Sequence, residues 1–146
     1  MRQLLLPGAV ALLVAATVSS SSGFAAASTV RASRAVARQQ AITINSLRPS
    51  ECAGLTLTSL ITGSGTITGT NGPDLIIGSA NSDVIDGLDG SDCIVAGGGD
   101  DDVNAGSGAD VILGGPGNDN INGLTGADVC YGGAGRNSLA NCQYRY

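Results

Sequence analysis

The chain has 146 residues, including 23 glycines, no histidine and no tryptophan, and its formal net charge is −5. This length predicts a single domain. Without histidine, Ser-His and Cys-His catalytic pairs and His-ligated zinc are excluded, and the acidic balance disfavours nucleic acid as a partner.

The first 27 residues are typical of a secretion signal. Arg2 supplies positive charge, residues 4–18 are apolar, and small residues up to Ala27 offer a cleavage site. A membrane anchor is the alternative, but the apolar run is short for a span and the serines at 19–22 follow it. We therefore expect a cleaved signal peptide over residues 1–27 and a mature chain without a membrane span. Such a protein is secreted and extracellular, where disulfides persist.

Residues 28–50 form a basic segment. Arg31, Arg34 and Arg38 lie three and four residues apart, which would place them on one helical face. That face would suit an anionic surface. A solvated, poorly ordered linker after the signal peptide is the favoured interpretation.

Residues 51–68 are rich in threonine and leucine, and β-branched residues favour strands. Ile67 lies nine residues before Ile76, which is the spacing of the repeats that follow, and Gly65 stands where those repeats carry aspartate. We interpret this segment as a degenerate coil that caps the open end of a repeat fold.

Eight nonapeptides follow without a gap over residues 69–140. The sixth position is aspartate in seven repeats and Asn137 in the last. The eighth is aliphatic except for Cys130, and the fourth is glycine except for Asn81. In order they read GTNGPDLII, GSANSDVID, GLDGSDCIV, AGGGDDDVN, AGSGADVIL, GGPGNDNIN, GLTGADVCY and GGAGRNSLA.

Each column of this alignment makes a structural prediction. Glycine at the fourth position favours a turn with positive φ. A lone aliphatic residue at the eighth predicts a three-residue strand with its middle side chain inward. Two repeats then make one coil, and the sequence predicts an all-β fold, a right-handed parallel β-roll (β-solenoid) with end caps. The inward columns are Ile76, Ile94, Ile112 and Cys130 on one sheet, and Ile85, Val103, Ile121 and Leu139 on the other.

The charge of the repeats calls for a cation. They hold eleven aspartates and one arginine, a net charge of −10, and stacking brings the row aspartates about one coil spacing apart. Calcium fits, because it takes six to eight carboxylate and carbonyl oxygens in flexible geometry. Magnesium demands rigid octahedral geometry, and zinc prefers sulfur and imidazole.

The nonapeptide G-G-x-G-x-D-x-(aliphatic)-x resembles the hemolysin-type calcium-binding repeat family, also called RTX or repeats-in-toxin. The resemblance covers residues 69–140 and implies a parallel β-roll with calcium in the turns along both edges. Four turns on each edge leave three gaps per edge, hence at most about six ions. The side-chain ligands it implies are Asp74, Asp83, Asp92, Asp101, Asp110, Asp119 and Asp128.

Some positions depart from the family pattern. Asn137 follows Arg136, whose charge opposes calcium, so we interpret the eighth repeat as a terminal cap continued by residues 141–146. Leu88 and Leu124 replace the second glycine, and sites that use those turns are expected to be weaker. Four aspartates lie off the row and are expected to be solvated: Asp86, Asp89, Asp100 and Asp102.

Four cysteines allow three disulfide pairings. The roll excludes Cys93–Cys130, because these residues would lie two coils apart, about 9.6 Å, beyond the roughly 7 Å that a disulfide bridges. Cys52–Cys93 with Cys130–Cys142 is favoured, since each bond would attach one end cap to the roll. The alternative, Cys52–Cys130 with Cys93–Cys142, would cross most of its length.

The functional prediction is a secreted, non-enzymatic calcium-binding protein whose folding is coupled to the ion. In the family that the repeats resemble, they usually accompany a protease, lipase or toxin domain, and we expect none here. The alternative is a structural or adhesive protein in which calcium only rigidifies a binding face. Ile77, Val95, Leu113 and Tyr131 form an outward apolar stripe, which either a partner or the N-terminal cap would cover. We favour the cap.

Overall fold

The computed structural model describes residues 42–145. The predicted signal peptide, the part of the basic segment up to residue 41, and Tyr146 lie outside this range. No helix within residues 42–145 is long and apolar enough to cross a membrane.

Two short helical turns are followed by thirteen strands in this part of the chain. Helix α1 covers Ile44–Leu47 and a 3-10 helix covers Ser50–Cys52. The strands are β1 Ser59–Thr62, β2 Thr66–Thr68, β3 Asp74–Ile77, β4 Val84–Asp86, β5 Cys93–Val95, β6 Asp102–Asn104, β7 Ser107–Gly108, β8 Val111–Pro116, β9 Asn120–Asn122, β10 Thr125–Gly126, β11 Val129–Ala134, β12 Ser138–Ala140 and β13 Tyr144–Arg145.

The strands form two parallel sheets on opposite sides of a solenoid of about five turns. One sheet has the order β1-β3-β5-β8-β11-β13 and the other the order β12-β9-β6-β4-β2, while β7 and β10 pair within the turns. Ile76 pairs with Ile94, and Ile85 pairs with Val103, so the register is eighteen residues. Two nonapeptides therefore make one coil, which confirms the predicted β-roll.

The core is the pair of facing columns that the eighth positions predict. Strands β4, β6 and β9 each bury only their middle residue, as a period of two requires. Every predicted column residue is buried except Leu139, which is partly buried. Ile67 joins the same cluster and pairs with Ile85, so a coil without an aspartate does precede the first repeat.

The N-terminal segment packs against the outer face of the six-stranded sheet. Cys52 and Leu57 form a second buried cluster with Leu75 and Cys93, and the side chain of Ile44 packs against it. Residues on both sides of position 50 thus have apolar side chains that pack on the sheet. Three residues of the predicted outward stripe are partly buried in this cluster: Ile77, Leu113 and Tyr131.

A single asparagine holds helix α1 to the segment that follows it. The Oδ1 of Asn45 accepts a hydrogen bond from the Leu57 N–H (2.9 Å), and its Nδ2 donates to the Leu57 carbonyl (3.1 Å). The Arg48 guanidinium donates to the same Oδ1 (2.9 Å) and to the Leu55 carbonyl. The chain is thereby folded back on itself before it enters β1.

The turns fall into two classes, which the sequence did not predict. From the third repeat onwards the fourth-position glycine has positive φ, as expected, but Gly72 and Asn81 in the first two repeats do not. The second position also has positive φ from the third repeat onwards, even at Leu88 (70°) and Leu124 (63°). The first two turns therefore follow a different backbone path.

The disulfides are Cys52–Cys93 and Cys130–Cys142, with Cα separations of 5.8 and 5.9 Å. This is the favoured pairing. Cys93 faces the outer cluster and Cys130 faces the core, so the two side chains point to opposite faces of one sheet. The first bond attaches the N-terminal segment, and the second attaches the last coil.

Replacing Gly108 with alanine is expected to lower the free energy of unfolding by at least about 2 kcal/mol. Gly108 has φ 146°, and a Cβ there would overlap the Gly90 carbonyl of the turn one coil earlier. Guanidinium unfolding measures the loss. Gly54→Ala is the matched control, because a Cβ at Gly54 meets nothing within 4 Å, and equal losses in both variants would contradict the close stacking.

Removing the Cys52–Cys93 disulfide is expected to destabilise the fold more than removing Cys130–Cys142. The bonds close sequence separations of 41 and 12 residues, which correspond to about 4 and about 3 kcal/mol of loop entropy. Double serine variants compared by guanidinium unfolding check this order. Only the first variant should also bind a hydrophobic dye, because it releases the segment that covers the outer sheet face.

Candidate metal centre

The sixth-position aspartates form two buried rows along the edges of the roll. Their side chains are exposed by 2% or less. The off-row aspartates are exposed to solvent, as predicted. Together the two rows contain seven buried aspartates: Asp74, Asp83, Asp92, Asp101, Asp110, Asp119 and Asp128.

One oxygen of each later row carboxylate is fixed by the backbone. The N–H of Asp92 donates to the Oδ1 of Asp110 (2.8 Å), and the N–H of Asp110 donates to the Oδ1 of Asp128 (3.0 Å). The opposite edge repeats the pattern and ends at Asn137, whose Oδ1 accepts from the Asp119 N–H (2.8 Å). Every coil thus orients the carboxylate of the next.

The row aspartates fall into two groups according to whether the second carboxylate oxygen, Oδ2, has a hydrogen-bond partner. Five Oδ2 atoms within residues 42–145 are buried and have no hydrogen-bond partner. A buried anionic oxygen without a donor is costly, and native structures rarely tolerate one unless an ion or water completes it. These oxygens belong to Asp92, Asp101, Asp110, Asp119 and Asp128.

Three of the unpartnered oxygens, those of Asp92, Asp119 and Asp128, face a small space that a side chain on the first-position glycine would fill. At Asp101 and Asp110 the first position is alanine. A Cβ built on Gly123 would lie 2.6 Å from the Oδ2 of Asp128 and 2.6 Å from the carbonyl oxygen of Asn141. A Cβ on Gly87 would lie 2.8 Å from the Oδ2 of Asp92 and would overlap the Ala105 carbonyl. A carboxylate oxygen and a carbonyl oxygen of the next coil therefore converge on one space.

Asp74 and Asp83 are satisfied within their own turns. The Oδ2 of Asp74 accepts from the N–H (2.6 Å) and the hydroxyl (2.9 Å) of Thr70. The Oδ2 of Asp83 accepts from the N–H (2.7 Å) and the hydroxyl (3.0 Å) of Ser79. Sequence reasoning missed these two hydroxyls, although both stand at a second position where the repeat pattern has glycine.

The donor set fits a hard cation bound partly by the backbone. Within residues 42–145 no three or more His, Cys, Asp or Glu side chains cluster as metal ligands. Any ion must therefore draw on backbone carbonyls as well as the row carboxylates. Calcium accepts that mixture of oxygens, so the residues fit the ion that the repeats imply.

Burial shifts the titration of the row carboxylates. Desolvation raises the pKa of Asp92 and of Asp110 to about 7, against the lowering effect of the backbone hydrogen bond that each accepts. Desolvation likewise raises the pKa values of Asp101, Asp119 and Asp128. At Asp83 burial also favours the neutral form, but hydrogen bonds from Ser79 and Gly65 outweigh it and lower the pKa.

These shifts predict how the ion-free fold depends on pH. Because the folded-state pKa values of Asp92 and Asp110 lie above the ordinary 3.8, their stabilising protonation is complete below about pH 4 and is lost as pH rises through about 7. In chelator, the β-sheet signal in far-UV circular dichroism should therefore be present at about pH 5 and be lost as pH rises to about 8. The Asp92→Asn/Asp110→Asn variant should show a flatter profile, and an unchanged profile would contradict the assignment.

Comparison with known protein families gives one finding. The RTX calcium-binding nonapeptide repeat, described as four copies, matches residues 68–103, 82–112 and 104–139. No curated protein and no solved structure matches the chain. The buried aspartate rows lie inside the matched region, where the turns lead into the parallel strands. Through residues 68–139, the chain belongs to the RTX calcium-binding nonapeptide repeat family.

Proposed function

We propose that this chain is a secreted calcium-binding β-roll protein whose folding is coupled to calcium binding between its stacked turns. The observation that carries the proposal is the set of five buried Oδ2 atoms without hydrogen-bond partners. Three of them, at Asp92, Asp119 and Asp128, share a small space with a backbone carbonyl oxygen of the next coil. A bound cation would compensate the buried negative charge, so that these carboxylates would stabilise the fold instead of destabilising it.

The residues that would hold the ions are the five aspartates whose Oδ2 atoms lack partners, together with carbonyls of the neighbouring coil. Bound calcium supplies the positive charge that lets these carboxylates stay ionised while buried. A site that exists only in the folded roll makes binding energy available as folding energy. The two hydrogen-bonded aspartates enter this proposal only through the stacking that they support.

An extracellular location suits this chemistry. Both disulfides of the described region require an oxidising compartment to persist. Calcium is plentiful outside cells, so sites with dissociation constants of about 10⁻⁴–10⁻³ M would be filled there. The chain could therefore cross a membrane extended and fold afterwards.

The packing of the outer faces favours a calcium-binding role over an adhesive one. The apolar stripe of the six-stranded sheet is partly covered by the chain's own N-terminal segment. On the five-stranded sheet, the outward row reads Thr66, Val84, Asp102, Asn120 and Ser138. It is not the regular threonine or aromatic row that suits a flat polymer. We propose no catalytic activity, because the buried carboxylates serve the ion.

A calcium titration of the purified, oxidised chain tests the proposal directly. Starting in chelator, far-UV circular dichroism should show a cooperative coil-to-β transition as calcium rises to millimolar or lower concentration, and none with magnesium. The physical reason is that calcium alone accommodates many carbonyl and carboxylate oxygens in flexible geometry. A chain that is already folded in chelator and indifferent to calcium would contradict the coupling and favour the adhesive alternative.

A pair of asparagine variants separates site chemistry from overall charge. Asp110→Asn is expected to raise the calcium midpoint about three- to tenfold, equivalent to about 0.6–1.4 kcal/mol. Asn137 shows that asparagine can keep the Oδ1 hydrogen bond. Asp100→Asn is the matched control, because Asp100 also accepts a backbone N–H through Oδ1, from Asn118 (2.8 Å), but is exposed. Equal shifts would mean that calcium only screens charge.

A further inference from the structure

In the first two turns of the roll, hydrogen bonds from the turn itself satisfy the buried carboxylate, whereas the later turns would use a cation. We infer that the hydroxyls of Thr70 and Ser79 take the place of calcium at Asp74 and Asp83, so that calcium binds only at the five other row aspartates. This inference rests on the proposed calcium binding and assigns its sites.

The hydrogen bonds at these two turns are complete. Thr70 presents its N–H and its hydroxyl to the Oδ2 of Asp74, at 2.6 and 2.9 Å, and the hydroxyl also lies 3.0 Å from Oδ1. Ser79 presents the same two groups to Asp83, whose Oδ1 accepts from the Gly65 N–H. Both carboxylates remain buried, but neither has an oxygen left without a donor.

The later turns have no such donor. Their second position is glycine or leucine, which carry no hydroxyl. It also has positive φ, which threonine and serine rarely adopt. The backbone path and the hydroxyl therefore go together. Turns with a hydroxyl keep ordinary φ and satisfy their carboxylate, and turns with glycine or leucine leave the carboxylate open.

The last repeat uses an amide for the same purpose. The Oδ1 of Asn137 accepts the Asp119 N–H, and its Nδ2 donates to the Gly133 carbonyl of its own turn (3.2 Å). Asn137 carries no charge, and its side-chain amide donates to the Gly133 carbonyl oxygen, which would otherwise be available to a cation. Internal donors thus stand at the start of both rows and at the end of one.

The five carboxylates with an unpartnered Oδ2, called the open carboxylates, give a different set of ion positions from a count of the gaps between turns. The Oδ2 of Asp92 faces the coil that contains Ala105, and the Oδ2 of Asp128 faces the last coil at Asn141. No ion is then expected beside Asp74 or Asp83, and one is expected between the seventh repeat and the C-terminal segment. The expected total is five, in place of the sequence-based maximum of about six.

Counting bound ions by native mass spectrometry tests the inference on a matched pair. Asp74→Asn and Asp92→Asn are identical substitutions of buried residues in the same row. At saturating calcium, Asp92→Asn should lose one ion relative to the wild-type protein, and Asp74→Asn should lose none. Loss of one ion in both variants would overturn the inference, whereas a wild-type protein that binds no calcium would overturn the proposed function itself.

Substitution of the hydroxyl provides the reverse test. Thr70→Gly creates the repeat GGNGPDLII and removes the internal donor, so this variant should bind one more ion than the wild type. Thr70→Ser keeps the hydroxyl and should restore the wild-type count. A Thr70→Gly variant that folds with an unchanged count would overturn the role of the hydroxyl.

A measurement on the unmodified protein covers the case in which a variant does not fold. Trace Mn²⁺ added to the calcium-loaded chain should broaden the carboxyl ¹³C signals of the five open aspartates. The signals of Asp74 and Asp83 should stay sharper, because the next site along the stack lies about two strand spacings away. Equal broadening of all seven signals would overturn the inference.

Discussion

The structure depends on the stacking of like charges in register. An eighteen-residue register stacks the row aspartates of successive coils above one another, and all seven are almost completely buried. Backbone N–H groups hold one oxygen of each later carboxylate, as Asp92 does for Asp110. The other oxygen must find a positive partner, and the composition of each turn decides which partner is possible.

Turn composition and backbone conformation are coupled throughout the roll. At the fourth position, close approach of neighbouring turns requires glycine, as at Gly108, where an added Cβ would overlap the carbonyl of Gly90. Where a hydroxyl-bearing residue stands instead, as at Thr70, the turn keeps ordinary φ and satisfies its carboxylate from within. The roll therefore combines turns whose carboxylates are satisfied by hydrogen bonds with turns that leave a buried carboxylate oxygen without a partner.

The ends and the outer face of the roll are stabilised by different means. A core of two columns is thin, and the outer face of the six-stranded sheet is also apolar. The segment around Ile44 and Leu57 packs on that face, and the Cys52–Cys93 bond holds it there. The Cys130–Cys142 bond closes the other end.

The sequence by itself determined the repeat, the parallel coils, the inward columns and the aspartate rows, because a fixed nine-residue period places equivalent residues in equivalent environments. It also favoured the observed disulfide pairing, since coil spacing excludes Cys93–Cys130 and each observed bond attaches one end of the roll. Only the tertiary structure decided that Asp74 and Asp83 are satisfied within their own turns while Asp92 and its counterparts are not. That difference depends on which donors approach each oxygen across the turn and the next coil, and a pattern of residue types does not contain those distances.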